Sequence, residues 1–348
     1  MTAMRAEATA AHDAALALAR DLVGRPVDGL TPLRGGRNAR VFRVAAGPEV
    51  FALKLFPPPI DGRDRLATEV EALRLMQERG IADVARVVAA DPARHGALLT
   101  WLDGTPVAAP GDADVDAAAQ FLAALHGTGA TAAGRAFCRP AAEACLSGRE
   151  VERQIRTRLA ALSVHGETEP ALTGFLRGAF APALATLLAR AERAFAAAGL
   201  DFATPLPQEK QSLVPADFGF HNCLRGTDGR LKFLDFEYFG WDDPVKLTAD
   251  ILHHPGTPLA TPQAARLRAA ALHIYADDPA FAPRLAALYP LFGLRWALIL
   301  LNEFVPERWR RRVEAGETEA WPHAKARQLA RADELVARLA PQAEAAHG

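Results

Sequence analysis

Cysteine is scarce in this 348-residue chain. Its three cysteines, Cys138, Cys145 and Cys223, have no CxxC spacing and form no even framework. That excludes a disulfide scaffold and a cysteine-built structural metal site, and it fits a reduced compartment. Charge of one sign is also lacking. The 40 Lys and Arg residues stand against 41 Asp and Glu, so the basic excess of a dedicated nucleic-acid binder is missing. No run of about 18 apolar residues free of charge occurs, so no membrane span is expected. The first 13 residues carry acidic side chains and no long apolar stretch, unlike a secretory signal. The expectation is a cytoplasmic protein, monomer or homodimer, with no nucleic-acid and no membrane partner. What remains is ordinary for a folded chain, half hydrophobic and long enough for two lobes that each bury a core.

Apolar spacing predicts a short leading helix over 13–23, within a leading segment 1–30. Residues 33–44 (LRGGRNARVFRV) read as strand, glycine turn and strand. Residues 50–56 (VFALKLF) form a short apolar strand with a hard stop at Pro57, Pro58 and Pro59. Leu66, Val70, Leu73 and Met76 mark an amphipathic helix over 65–78. Two more strands, 84–90 and 96–102, end at the Asp103-Gly104 turn. A β-rich N-terminal lobe over 31–104 is therefore complete. Residues 105–340 read as a mostly helical lobe, with helices at 112–126, 150–162, 170–199 and from 245 onward. One β-looking island interrupts it at 213–238. Its two short strands are joined by Gly226-Thr227-Asp228-Gly229, a strong hairpin signal. The class is α+β with two lobes.

The island carries the chemistry. It reads Pro215-Ala216-Asp217-Phe218-Gly219-Phe220-His221-Asn222, then a strand, the turn, and Phe233-Leu234-Asp235-Phe236-Glu237. A tight hairpin returns the chain, so Asn222 and Asp235 should lie side by side. Two hard oxygen donors could then meet one Mg²⁺, with Asp217 aimed at a hydroxyl beside them. Lys54 sits amid a short apolar strand, where burial is costly unless a partner is supplied. The helix that follows offers Glu69 or Glu71, which point about 200° apart.

The D-x-x-x-x-N loop followed by an Asp after a hairpin resembles the catalytic and metal-binding loops of kinase-like phosphotransferases. Its Leu-Asp235-Phe-Glu context is similar to the aminoglycoside phosphotransferase and choline kinase-like family. The resemblance runs over roughly 30–310. It implies a protein-kinase-like fold and an ATP- and Mg²⁺-dependent transfer of the γ-phosphate to a hydroxyl of a small molecule, such as a sugar, an amino alcohol or an aminoglycoside-like compound. By resemblance Asp217 is the catalytic base, and Asn222 and Asp235 are the Mg²⁺ ligands. Lys54 holds the phosphates with Glu69 as its helix partner, and Gly35 and Gly36 cover them. Thr100 and Leu102 belong to the adenine-binding hinge. Val41, Ala52, Leu224 and Leu234 wall the adenine slot, although each also suits a core. The acceptor side draws on His221, Glu237, Trp241, Trp296 and Glu303. Asp243 reads as a helix cap and Asp250 as structural support.

The sequence departs from the family pattern at the loop. The histidine two residues before the base is Pro215, and the one two residues after it is Gly219. His221 is either a loop or substrate contact or a structural hydrogen-bonder. The loss motivates a competing reading, a nucleotide-binding pseudokinase that serves as scaffold or sensor. A protein-substrate kinase fits poorly, since only about nine residues separate Asp235 from Pro244 and no A-P-E ending follows.

Overall fold

The computed structural model describes residues 2–33, 39–59, 62–256, 258–314 and 317–339. The chain folds into two compact units that interleave along the sequence. Unit 1 comprises Met1–Ala108, Gly127–Ala142 and Pro215–Gly240, and unit 2 comprises Ala109–His126, Glu143–Val214 and Trp241–Gly348. The first crossing falls between Ala108 and Ala109. The island at 215–240, however, packs with the sheet rather than with the helices that flank it in sequence.

Unit 1 opens with helix α1 (Thr2–Val23). It starts eleven residues before the expected position, because an alanine-rich segment has high helix propensity even where no apolar stripe marks it. Strands β1 (Gly29–Pro32), β2 (Arg40–Ala46), β3 (Glu49–Leu55), β4 (Val87–Asp91) and β5 (Gly96–Thr100) form an antiparallel sheet in the order β1-β2-β3-β5-β4. Side chains alternate between its faces. Phe42, Val44, Phe51, Leu53 and Leu98 bury one face against Ala15, Leu18 and Ala19 of α1. Gly96 lets that helix come close, since a Cβ there would meet Leu18 Cδ2 at 2.5 Å. The alternate residues of β3, Ala52 and Lys54, occupy the opposite face.

Helix α2 (Arg65–Glu78) has the bounds read from the sequence, and Asp64 caps it by accepting from Ala67 N at 2.9 Å. The island supplies a hairpin, Cys223–Arg225 with Leu231–Phe233, joined on its outer side by β6 (Thr105–Pro106). Gly229 takes φ +77° in its turn. Asp83, between α2 and β4, anchors the returning strand. Its carbonyl accepts from Phe233 N at 2.8 Å, and its carboxylate accepts from Arg230 at 2.8 Å and pairs with Lys232 at 3.2 Å.

Unit 2 is built around helix Phe281–Leu300, against which helices Gly148–Ser163, Ala181–Ala197, Pro244–His253 and Trp321–Leu339 pack. Two helical stretches, Pro170–Ala197 and Phe281–Phe304, are long and apolar enough to cross a membrane by length and composition. A charge-free criterion misses them because each carries arginine. Both contribute to the core of this unit, through Leu172, Phe180 and Leu187 in one and Leu288, Phe292 and Leu298 in the other. Asp243 caps Pro244–His253 as expected, accepting from Val245 N at 2.9 Å.

Next to that cap, Asp242 is fully enclosed. Its Oδ1 accepts from Cys145 N and Asp243 N, both at 2.8 Å, and Lys246 Nζ lies 3.5 Å from Oδ2. Burial pushes the Asp242 carboxyl up to about 6, against the pull of Lys246. The folded state therefore holds a proton that the unfolded chain releases near its ordinary value of 3.8. The resulting stabilisation is present below that value and is lost as pH rises through about 6. Asp242→Asn should flatten this part of the stability profile in denaturant titrations spanning that range. An unchanged slope would show that Asp242 titrates normally.

Candidate active site

Lys54 is 8% exposed, and its ammonium is met by carboxylates from two elements. Nζ donates to Glu69 Oε2 of α2 at 2.5 Å and to Asp235 Oδ1 of the island at 2.7 Å. Glu237 Oε2 lies 3.9 Å away. The two helix candidates separate as their angular offset requires: Glu71 turns outward and forms a paired contact with Arg139 at 2.8 and 2.9 Å. Burial alone would push the Lys54 ammonium down, but Glu69, Asp235 and Glu237 together raise it, so it stays charged. Burial pushes Glu69 up to about 7, outweighing the opposite pull of Lys54.

One carboxylate oxygen from each of Glu69, Asp235 and Glu237 lies within 4.8 Å of the other two. Three acids thus share one ammonium, with Arg65 reaching Glu237 at 4.0 Å. The cluster carries more acid than base, which suits an added cation and repels a bare anion. Lys54→Met would leave these buried carboxylates without their central cation. On the expectation that Lys54 holds phosphates, the change should lower phosphoryl transfer by at least about a hundredfold, and it should also lower the melting temperature. Turnover at the level of the unaltered protein would exclude a role for Lys54 in holding phosphates.

The Asp217 loop is strained and clamped. Asp217 N donates to Pro215 O at 3.0 Å around Ala216, whose φ is +67°. This is a tight turn in the left-handed region that non-glycine residues occupy at a cost of about 1–3 kcal/mol. A single 3₁₀ turn, Phe220–Asn222, follows. Asn222 Nδ2 donates to Asp217 O at 2.9 Å, and Oδ1 is the acceptor of that amide. Phe218 is buried and stacks on Phe233 with centroids 5.7 Å apart. His221 Nε2 lies 3.4 Å from Asp217 Oδ1. The fixed φ of Pro215, the Phe218 anchor and the Asn222 clamp stand where the family pattern has a histidine.

Hairpin register brings the other groups alongside. Cys223 pairs with Phe233, and Leu234 N donates to Asn222 O at 3.0 Å, so Asp235 is one position beyond Asn222's partner. Asp235 takes φ +68° and turns its carboxylate to Lys54. The expected slot residues Val41, Ala52, Thr100, Leu102, Leu224 and Leu234 are all half-buried in unit 1, not enclosed in its core. Val41 pairs across the sheet with Lys54, and Ala52 lies two residues from it on the same face. A Cβ at Gly104, just past Leu102, would meet Arg225 O at 2.8 Å and Leu224 Cβ at 2.9 Å, so this segment runs tightly against the hairpin.

Several expected residues fall elsewhere. Gly35 and Gly36 lie outside the described residues. Glu237, expected on the acceptor side, is instead an enclosed member of the Lys54 cluster. Trp241 and Glu303 belong to unit 2 and are 6% and 5% exposed, so neither presents an open surface. Glu303 is packed in by its ion pair with Arg312. Trp296, also in unit 2, is half-buried, donates Nε1 to Asp250 Oδ1 at 2.8 Å and meets the His254 ring edge-on. Two neighbours of the Lys54 cluster carry no sequence signal. Arg65, the first residue of α2, lies over the Tyr238 ring at 5.4 Å. Burial and Glu237 push the Tyr238 phenol up to about 12.

The sequence profile of the phosphotransferase enzyme family (APH) matches residues 29–283. A search of functionally curated proteins finds no match. Among solved structures, the chain is similar to a choline/ethanolamine kinase family protein from Mesorhizobium loti. They share 19% identity over 90% of this chain and 92% of that one, with a TM-score of 0.55. A putative aminoglycoside phosphotransferase from Ralstonia eutropha shares 16% identity over 92% and 93% of the two chains, with a TM-score of 0.57. An ADP-bound aminoglycoside phosphotransferase, APH(2'')-Ib, shares 14% identity over 90% and 94%, with a TM-score of 0.55. At these identities the likeness is one of fold: a small antiparallel sheet and a larger helical part, as in protein-kinase-like phosphotransferases.

Proposed function

Because this chain belongs to the APH phosphotransferase enzyme family, we propose that it is a cytoplasmic kinase moving the γ-phosphate of ATP, with Mg²⁺, to a hydroxyl of a small molecule. The observation that carries this reading is the placement of Lys54 between Glu69 and Asp235, with Asp235 one register position from Asn222. The donors fit a hard divalent cation: a carboxylate at Asp235, an amide oxygen at Asn222, and an acidic excess around a single ammonium. Asp235 and Asn222 would hold Mg²⁺, which when bound neutralises charge on the nucleotide phosphates.

The chain's own residues supply the rest. Lys54, kept charged by its carboxylates, orients the phosphates. The half-buried Val41, Ala52, Leu224 and Leu234 offer an apolar bed for the adenine, and Thr100 and Leu102 flank it. Asp217, held by the Asn222 clamp, accepts the proton of the acceptor hydroxyl as that oxygen bonds to the γ-phosphorus. The bond from phosphorus to the β-phosphate oxygen breaks, and ADP leaves with that electron pair. His221, beside Asp217 Oδ1, orients that carboxylate. Glu237 supports the Lys54 cluster rather than the acceptor.

Relatives of this fold include choline kinases and aminoglycoside phosphotransferases, so a hydroxylated metabolite is the acceptor class. The test is ATP consumption with Mg²⁺ against a panel of sugars, amino alcohols, hydroxy acids and aminoglycosides, with product mass read by mass spectrometry. A product heavier by one phosphoryl group supports the reading. Nucleotide binding without product from any acceptor favours the pseudokinase scaffold.

A further inference from the structure

Lys54 has more carboxylates around it than its charge requires, and one of them is also the proposed metal ligand. Asp235 Oδ1 accepts from Lys54 Nζ at 2.7 Å. A carboxylate turned toward a metal ion gives up such a contact, and a buried lysine has no water to take in exchange. Another anion must then keep the ammonium in place.

Helix α2 supplies the frame. Arg65 and Glu69 are four residues apart and share one face of it. The Asp64 cap fixes the first turn of that helix. Glu69 Oε2 accepts from Lys54 Nζ at 2.5 Å. One turn earlier, Arg65 Nε lies 4.0 Å from Glu237 Oε1, and its guanidinium rests over the Tyr238 ring at 5.4 Å. The other oxygen of the enclosed Glu237, Oε2, lies 3.9 Å from Lys54 Nζ. Glu69, Lys54, Glu237 and Arg65 therefore alternate in charge, with both ends of the series on the same face of α2. All four belong to unit 1. Two carboxylates balance two cations within the series, and Asp235 is the acid left over. Its side chain is 33% exposed, against 4% for Glu69 and 1% for Glu237. Of the three acids it is the one that can turn away without leaving a buried charge behind.

We infer that Glu237 and Arg65 are positioning residues for Lys54: the balanced series Glu69, Lys54, Glu237 and Arg65 holds the ammonium while Asp235 is given up to a divalent cation, a role that rests on the phosphotransferase reading. Glu237 Oε2 needs to approach by about 1 Å to make the hydrogen bond that Asp235 leaves. Arg65, on the opposite oxygen, keeps the Glu237 carboxylate in line for it. Without Arg65, three acids would crowd one ammonium, and Glu237 would be pushed away from Glu69 and Asp235.

The test is a double-mutant cycle on the full chain, read by thermal unfolding without metal, together with calorimetric titration of single variants with Mg-ATP and with adenosine. Without ligand, Glu237→Gln should barely move the melting temperature, because Glu69 and Asp235 still hold Lys54. In the Asp235→Asn background the same change should lower it by at least about 3 °C. Effects that simply add overturn the exchange of partners. Glu237→Gln and Arg65→Gln should each weaken Mg-ATP binding at least about tenfold and leave adenosine, which has no phosphates for Lys54 to hold, unaffected. Arg65→Lys, which keeps the charge, should restore most of the loss. Unchanged Mg-ATP affinity in both variants, or an equal loss for adenosine, overturns the positioning role. If the unaltered protein binds no Mg-ATP, the phosphotransferase reading fails, and the metal-free cycle decides the pairing of Lys54 by itself. Mg-ATP binding with an additive cycle sinks this inference alone.

Discussion

Asp217→Asn is expected to cut phosphoryl transfer by about a hundred- to ten-thousandfold, the range spanned by a positioned general base. Mg-ATP binding and the melting temperature should barely change. The side chain is about two-fifths exposed, so an amide of the same shape adds no buried unpaired group. The loop around it rests on other contacts: Asn222 Nδ2 donates to the Asp217 carbonyl, and Phe218 stays wedged on Phe233. On the proposed reading the variant loses the proton acceptor and alters the His221 contact at 3.4 Å. Steady-state kinetics and thermal unfolding on the same preparation separate the two effects. Undiminished turnover would remove Asp217 from the base role, and a collapse in stability would make it a structural residue.

The second large effect is expected at Asp235. Asp235→Asn should abolish the Mg²⁺ dependence of nucleotide binding and weaken that binding at least about tenfold, since a hard carboxylate donor is replaced by a neutral one. The apo protein should tolerate the change. Lys54 retains Glu69 at 2.5 Å, and the cluster loses one of three crowded carboxylates. The expected pattern is therefore selective: apo melting near that of the unaltered protein and a lost response to Mg-ATP. Calorimetric titration with ATP in Mg²⁺ and in EDTA measures it. Equal affinity in both media for the unaltered protein would contradict a metal role for Asp235, whatever the variant does.

Much of this site was legible from the chain because its spacing is local. The bounds of α2, the Asp-Gly hairpin turn and the adjacency of Asn222 and Asp235 all depend on contacts a few residues apart or on one hairpin register. The choice between Glu69 and Glu71 did not follow from sequence. It depends on which face of α2 meets β3, and the fold decides it by giving Glu71 to Arg139, 68 residues away in sequence. Arg65 and Tyr238 were missed for a related reason: they meet across 173 residues and neither belongs to a periodic pattern. Glu237 was legible as part of the Leu-Asp-Phe-Glu run but not as a buried partner of Lys54, since it lies in a turn past the returning strand, where no periodicity gives a side chain's direction. The ion pairs of Glu143 with Arg158 and Arg295 lie furthest from sequence reasoning, since they join a loop, a helix and the central helix of unit 2.

The proposed Mg-ATP site of unit 1 is built on Lys54, Asn222 and Asp235. Thermal unfolding with ATP, in Mg²⁺ and in EDTA, tests it most directly. A ligand at about one hundred times its dissociation constant stabilises the folded state by about 2.7 kcal/mol, a shift easily seen. The account predicts a clear rise in melting temperature with ATP and Mg²⁺ and little or none in EDTA. No rise with ATP and Mg²⁺ at millimolar concentration would contradict it.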